Sequence, residues 1–231
     1  GAYDWHPCQE EPEPNIPAGP CTIEFKPVSG WHTPAPVSVT IEVDETAAIS
    51  VSYAPRGAVV YVNDDAAGAD NGSSWTDAYT SLQTALTDTR AGEDIWVASG
   101  TYFPGDTDQR EVAFELKADV AMYGGFAGDE TERASRDWST NPTILSGDID
   151  HNDTGAAPAG ANAYHVLAGT AIGDTSIVDG FIITGGHAEG TAPDDTGGGL
   201  SLSGAAPRIA NCTFTGNAAG KGGALGISGS G

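Results

Sequence analysis

Two stretches of the chain carry oxygen side chains at close spacing. Asp148, Asp150, Asn152 and Asp153 share one short segment. Alternating carboxylate and amide oxygens can converge on one point, as they do in loops that hold Ca²⁺. Asp64, Asp65 and Asp70, flanked by Asn63 and Asn71, form a second candidate. The Gly and distal Glu of a full helix–loop–helix calcium loop are absent from both. The same residues also build turns on a solvated acidic surface, so a metal reading and a turn reading stand side by side. Asp194 and Asp195 are a carboxylate pair of the kind that acts as acid and base on a glycosidic bond. Their Gly-rich surroundings favour a turn. His187 fits a corner or loop position. A Gly-x-Ser-x-Gly nucleophile, a Cys with a placed His and a phosphate-binding Gly loop are all missing.

The chain has three Cys, at 8, 21 and 212. Cys8 and Cys21 lie near each other in a Pro-rich stretch, and a disulfide between them suits an exported protein. Cys212 reads as a small buried hydrophobe. No CxxC or second Cys/His pair supports a zinc site.

The elements that must position these residues are clearest from Ser176 onward. Val178 through Gly186 (VDGFIITGG) aligns with Ile209 through Asn217 (IANCTFTGN), and Gly198-Gly199-Leu200 through Gly204 aligns with Ala224-Leu225 through Gly229. Apolar triplets punctuated by Gly and Asn, at a period of roughly 20–30 residues, are the mark of a stacked solenoid. A helical period does not fit, because apolar residues alternate or run in threes. The expected architecture is all-β: a right-handed parallel β-helix whose coils turn at Gly and Asn and bury Val, Ile, Leu and Phe.

Composition bounds the partners. The 231 residues hold 39% hydrophobic and 18% charged residues, with 32 Gly and 14 Pro, a turn-rich globular profile. Thirty-two Asp and Glu against nine Lys and Arg give a formal charge of −23, which argues against nucleic acid and anionic membrane as partners. Adaptation to high salt and carboxylate loops that collect Ca²⁺ both account for it. No apolar run reaches the roughly 18 residues needed to span a bilayer, and Gly1 does not open a signal peptide, so the sequence reads as a mature chain or a segment.

In order along the chain, residues 1–55 form a first unit with alternating strands at Thr22 to Phe25, Val37 to Val43 and Ala48 to Tyr53, a small antiparallel sandwich. Trp5 and Trp31 suit its core better than a sugar-stacking surface. Residues 56–231 form the second. Ala58 to Val62 is a strand, and the spacing of Ala78, Leu82, Ala85 and Leu86 predicts a helix over about Asp77 to Arg90, started by Ser74 or Thr76. Further strands are expected at Glu93 to Tyr102, Phe114 to Leu116, Val120 to Phe126, Tyr164 to Leu167 and Ile177-Val178. The chain stops in mid-repeat, which implies a longer parent or a meeting with another subunit.

Phe214-Thr215-Gly216-Asn217 followed by Gly222-Gly223-Ala224-Leu225 resembles the FxxN and GGA(I/L) repeats of polymorphic outer membrane proteins and of secreted bacterial β-helix proteins. The block YVN, SSW, DAYTSLQTAL, AGEDIWVASGTY, then YGGF, GDETERASRDW and TILSGD, is similar to the start of such surface proteins. In those the helix caps the open end of the solenoid, as an exposed strand edge requires. Ile16 to Gly19, Phe25 to Trp31 and Thr33 to Ala35 resemble part of a PEGA-like β-sandwich repeat, a surface spacer or carbohydrate-contacting module.

The pectin-lyase-like fold also houses polysaccharide lyases and polygalacturonases. Within the repeats only Arg208 and Lys221 are basic, and neither falls in a lyase motif. Gly185-Gly186-His187 and Asp194-Asp195 echo two polygalacturonase motifs, but the first and last are missing. The resemblance therefore implies a non-enzymatic, extracellular or cell-surface structural or adhesin-like protein, able to associate with itself end to end or with surface polysaccharide. A carbohydrate-active enzyme and a carbohydrate-binding module are the alternatives. Binding without cleavage would show as exposed Trp or Tyr in a row, a surface on which the sequence alone does not place Trp75, Trp96 or Trp138.

Overall fold

A computed structural model describes residues 19–23, 26, 37–42, 49, 59–155 and 157–229. The chain divides into two compact units, Gly1–Pro55 and Arg56–Gly231. In the first, β1 (Gly19–Ile23) and β2 (Val37–Ile41) pair antiparallel, with Cys21 opposite Val39 and Thr22 opposite Ser38. Both strands alternate half-buried and exposed positions, as a two-faced strand should. Of the strand expected at Ala48 to Tyr53 only Ile49 is described, outside any strand, and Trp5, Trp31 and Cys8 lie outside the described residues.

In the second unit the strands in chain order are β3 (Val59–Val62), β4 (Asp94–Ala98), β5 (Gly100–Tyr102), β6 (Phe114–Glu115) and β7 (Ala121–Phe126). There follow β8 (Thr143–Ser146), β9 (Leu167–Thr170), β10 (Ile177–Asp179), β11 (Phe181–Thr184), β12 (His187–Ala188) and β13 (Leu200–Ser203). The last are β14 (Arg208–Ala210), β15 (Thr213–Thr215), β16 (Ala218–Ala219) and β17 (Leu225–Ser228). One sheet runs β14-β10-β7-β4-β3, a second β15-β11-β8-β5, a third β17-β13-β9-β6, and β12 pairs with β16. Every pairing in these sheets is parallel. From β4 onward the chain visits the first, second and third sheets in turn and returns to the first.

The registers explain the residue types. Val60, Ile95, Met122, Val178 and Ile209 stand one over another across the first sheet. Tyr102, Leu145, Ile183 and Phe214 do so in the second. Phe114, Leu167, Leu200 and Leu225 do so in the third. Members of all three columns gather into a single apolar core. The neighbouring column of the first sheet, Tyr61, Trp96 and Tyr123, points to the opposite face. There Trp96 stacks on Phe126 at 4.7 Å, and Tyr61 meets Trp75 edge-on at 4.8 Å. A period of two thus sends alternate residues to an aliphatic interior and an outer aromatic cluster.

The helix, α1 (Leu82–Asp88), is shorter than the sequence spacing suggests. Ser81 caps it by accepting from the Thr84 amide at 3.3 Å, in place of Ser74 or Thr76. Asp77 is held by the preceding loop instead. Its amide donates to Ser74 Oγ, and its Oδ1 accepts from the Ala69 amide. Tyr79 forms a parallel bridge with Val62. The apolar face holds: Ala78, Leu82, Ala85 and Leu86 are all buried, and α1 packs on β3 and β6. Among the expected strands, the one at Tyr164 to Leu167 begins only at Leu167 and continues to Thr170.

Candidate functional site

The 148–162 loop leaves β8 through Gly147, whose amide donates to the Thr184 carbonyl. Asp148 accepts from the Asn152 and Asp153 amides at 3.0 and 3.3 Å. Asp150 Oδ2 accepts from Asn152 Nδ2 at 2.7 Å and from the Ala161 amide at 2.8 Å. Asp153 accepts from the Ala159 amide through Oδ1 and from Asn162 Nδ2 at 2.9 Å through Oδ2. These carboxylates therefore fold the loop by taking up backbone N–H groups, as Asx turns do. Among the described residues of the loop, two buried oxygens remain without a donor: Asp150 Oδ1 and Oδ1 of the fully buried Asn162. A buried acceptor left bare costs about 1–3 kcal/mol, so a water or cation is favoured beside each. Among the described residues, no three His, Cys, Asp or Glu side chains converge as a metal site.

The second acidic segment is divided. Asp70 accepts from the Thr80 amide at 2.7 Å and tethers the 70–80 loop. Asp64 is exposed as a residue, but its carboxyl lies 3.5 Å from the Tyr102 hydroxyl, where partial desolvation and then the adjacent Asp65 charge push it above the usual range. Asp65 itself is exposed, with its amide donating to Asn63 Oδ1 at 3.1 Å.

Asp194 and Asp195 point to different partners. Asp194 Oδ1 lies 3.7 Å from His165 Nε2. Asp195 binds Lys221 Nζ at 2.8 Å, and that hydrogen bond, with a second from Thr196, holds its carboxyl below the usual range. Lys221 belongs to the segment leading into β17, so Asp195 ties one turn of chain to the next. His187, expected at a corner or loop, instead opens the short strand β12, where it pairs with Ala218 of β16 and lies 3.4 Å from Glu189. Arg208 opens β14 opposite Ile177. Cys212 donates to the Ala210 carbonyl at 3.1 Å, and burial pushes its thiol pKa up. Cys21 sits half-buried on β1, and its expected partner Cys8 lies outside the described residues.

The sequence did not single out the surface over β3 and β4. Val59, Asp94 and Trp96 line a groove of about 600 Å³ together with Glu132, Arg133, Ala134, Arg136 and Trp138. A 3-10 turn spans Arg133–Ser135. Arg136 fixes it, donating to the Gly124 and Asp179 carbonyls at 2.9 and 3.1 Å and pairing with the Asp179 carboxylate at 2.9 Å. Its guanidinium also stacks 4.8 Å from the Trp138 ring, which is 40% exposed. Of the candidate aromatics, Trp96 is buried and Trp75 is half-buried, with its indole donating to the Glu130 carbonyl at 2.8 Å. A row of exposed Trp is therefore not formed by Trp75, Trp96 and Trp138. Among the described residues no helix is long and apolar enough to cross a membrane. Compared with known protein families, curated proteins and solved structures, the chain finds no match in any of the three.

Proposed function

We propose that residues 56–231 form a right-handed parallel β-helix, capped at its first strands by α1, and that the protein is a non-enzymatic structural or adhesin-like element of the cell surface or extracellular space. The motif resemblance to secreted β-helix proteins supports that location. The right-handed sense follows the general rule for parallel crossovers. One observation carries the reading: the cyclic return of the chain through three parallel sheets. Leu200 and Leu202 are 0% and 5% exposed, but their partners Leu225 and Ile227 are 42% and 65% exposed. From Thr196 to Gly231 the sequence has no Asp or Glu. On an acidic molecule, a segment without carboxylates is one that a second copy can approach without like-charge repulsion. A PEGA-like module in residues 1–55 would serve as a spacer. Ca²⁺ belongs to the proposal at the 148–162 loop, where the bare Asp150 Oδ1 is the oxygen it would meet.

Against an enzyme, Asp194 and Asp195 diverge to separate partners, and the acidic loops are occupied with backbone amides. Electron microscopy of the purified protein in high salt, with and without a chelator, tests the proposal. Ordered end-to-end assemblies in high salt support it, and their loss on chelation adds Ca²⁺ to it. Dispersed particles at every protein and salt concentration sink self-assembly. Release of reducing or unsaturated ends from a polysaccharide panel would replace the structural reading with an enzymatic one.

A further inference from the structure

Three Asn residues open Asn-x-Ser/Thr triplets, the acceptor pattern for an N-linked oligosaccharide: Asn71-Gly72-Ser73, Asn152-Asp153-Thr154 and Asn211-Cys212-Thr213. Asn141-Pro142-Thr143 is barred by its Pro. The sugar bonds to Nδ2, so an acceptor in the folded chain needs that nitrogen exposed and free of a partner. All three Asn are exposed. Asn152 Nδ2 is tied to Asp150 Oδ2 at 2.7 Å, and Asn211 Nδ2 to Asp179 Oδ1 at 2.8 Å. Thr213 is also held in β15, paired with Ile182 of β11. At Asn71 the Ser73 amide donates to Oδ1 at 3.0 Å, and among the described residues Nδ2 makes no hydrogen bond.

The local turn accounts for Asn71 and Gly72 but not for Ser73. Asn71 Oδ1 closes the turn, and Gly72 sits at φ +71°, where a Cβ would meet the Tyr79 ring at 2.6 Å. From Ser73 the turn takes only the backbone N–H, which any residue but Pro supplies. The Ser73 side chain is exposed, and its hydroxyl has no partner among the described residues, whereas the Ser74 hydroxyl beside it is bonded to Asp77. The acceptor pattern uses that idle hydroxyl. We infer that Asn71 is the attachment site of an N-linked oligosaccharide, the triplet of the three that the folded chain leaves able to react. The inference rests on the extracellular reading, because the donor, an oligosaccharide carried on a polyisoprenyl phosphate or pyrophosphate, is used outside the cytosol. Asn71 Nδ2 attacks the anomeric carbon of that donor. The C1–Nδ2 bond forms, the C1–O bond to phosphate breaks with its electron pair staying on the lipid phosphate, and one Nδ2 proton passes to a carboxylate of the transferase. Nothing is oxidised or reduced.

The test offers the folded full chain to a purified oligosaccharyltransferase that needs only Asn-x-Ser/Thr, with a defined lipid-linked oligosaccharide as donor, and reads transfer by glycopeptide mass spectrometry. Asn71 should be modified at least about tenfold faster than Asn152 or Asn211, the scale of the charge-assisted hydrogen bond that each of those must first break. Short peptides carrying the Asn152 and Asn211 triplets, which lack those bonds, should accept the sugar. Ser73→Ala should abolish transfer to Asn71 while circular dichroism and melting temperature stay those of the parent, and Ser73→Thr should keep it. No transfer to Asn71, or equal transfer to Asn152 or Asn211 in the folded chain, overturns the inference. In the protein isolated from its source, an exported chain bare at Asn71 also overturns it. Cell fractionation distinguishes that result from a chain confined to the cytosol, which would sink the extracellular reading itself.

Discussion

Individual side chains in this protein mostly close hydrogen bonds that the backbone leaves open, and the repeat motifs are legible in those terms. Asn217, the Asn of Phe-Thr-Gly-Asn, donates to the Ile183 carbonyl at 2.8 Å and accepts from the Gly186 amide at 2.9 Å, both on the previous turn of chain. Asn217→Ala should cost about 1–3 kcal/mol in urea unfolding, because it orphans two part-buried backbone groups. Asn217→Asp should cost less than Ala but more than zero, since it keeps only the acceptor. Glu130 works the same way within one turn. Its carboxylate accepts from the Ala127, Gly128 and Asp129 amides at 2.7, 3.0 and 3.2 Å. Burial pushes the carboxyl up, but these amides outweigh it and leave the pKa below the usual Glu range. A depressed folded pKa gives stability that is present above the unfolded Glu value and lost as pH falls through the folded value. Glu130→Gln should therefore lower the melting temperature at pH 7, and the gap from the parent should narrow in acid below pH ~4. A gap independent of pH would assign Glu130 a packing role instead.

At the scale of elements, pairing register was legible in the sequence and helix start was not. The alignment of Val178 with Ile209 and of His187 with Ala218 is the cross-strand register of β10 with β14 and β12 with β16. The alignment of Leu200 with Leu225 is that of β13 with β17. Stacked turns repeat the same burial at the same position, so the apolar pattern and the register carry one signal. Gly198 shows the same logic: a Cβ there would press on the Gly186, Ala218 and Gly223 carbonyls, so the Gly-Gly pair marks close backbone approach. The helix start was misplaced because Asp77 has the type of a first-turn acid yet spends its oxygens on the 69–74 loop. Ser81→Ala should cost about 1 kcal/mol through loss of the N-cap, and Thr76→Ala less than about 0.5 kcal/mol. Equal effects would mean the cap is not limiting. The groove left no sequence pattern, since Asp94 and Trp138 come to line it only through the pairing of β3 with β4 and the reach of Arg136 to Gly124 and Asp179. Periodicity reports which way a strand faces; it says nothing about which loop folds back over it.

For the whole molecule the governing quantity is charge. Thirty-two carboxylates against nine cationic side chains impose self-repulsion on the folded state, and two remedies leave different traces. General screening acts through ionic strength: the Debye length shrinks from about 10 Å at 0.1 M to about 3 Å at 1 M salt. Specific Ca²⁺ binding acts at concentrations too low to change screening, by preferring the folded chain, and adds about 2.7 kcal/mol at a hundredfold excess over Kd. Melting temperature should therefore rise steadily with NaCl from 0.05 to 1 M, roughly, whatever the state of the 148–162 loop. If that loop holds Ca²⁺, about 1 mM CaCl2 in 1 M NaCl should raise the melting temperature further, and equimolar MgCl2 should do less, because Mg²⁺ sheds its water reluctantly. Asp150→Asn should abolish the Ca²⁺ increment and leave the NaCl slope nearly unchanged, since it removes one charge of a large excess. A Ca²⁺ increment that survives Asp150→Asn would move the ion elsewhere. No increment at any salt would leave the acidity to screening alone and assign the bare oxygens of Asp150 and Asn162 to buried water.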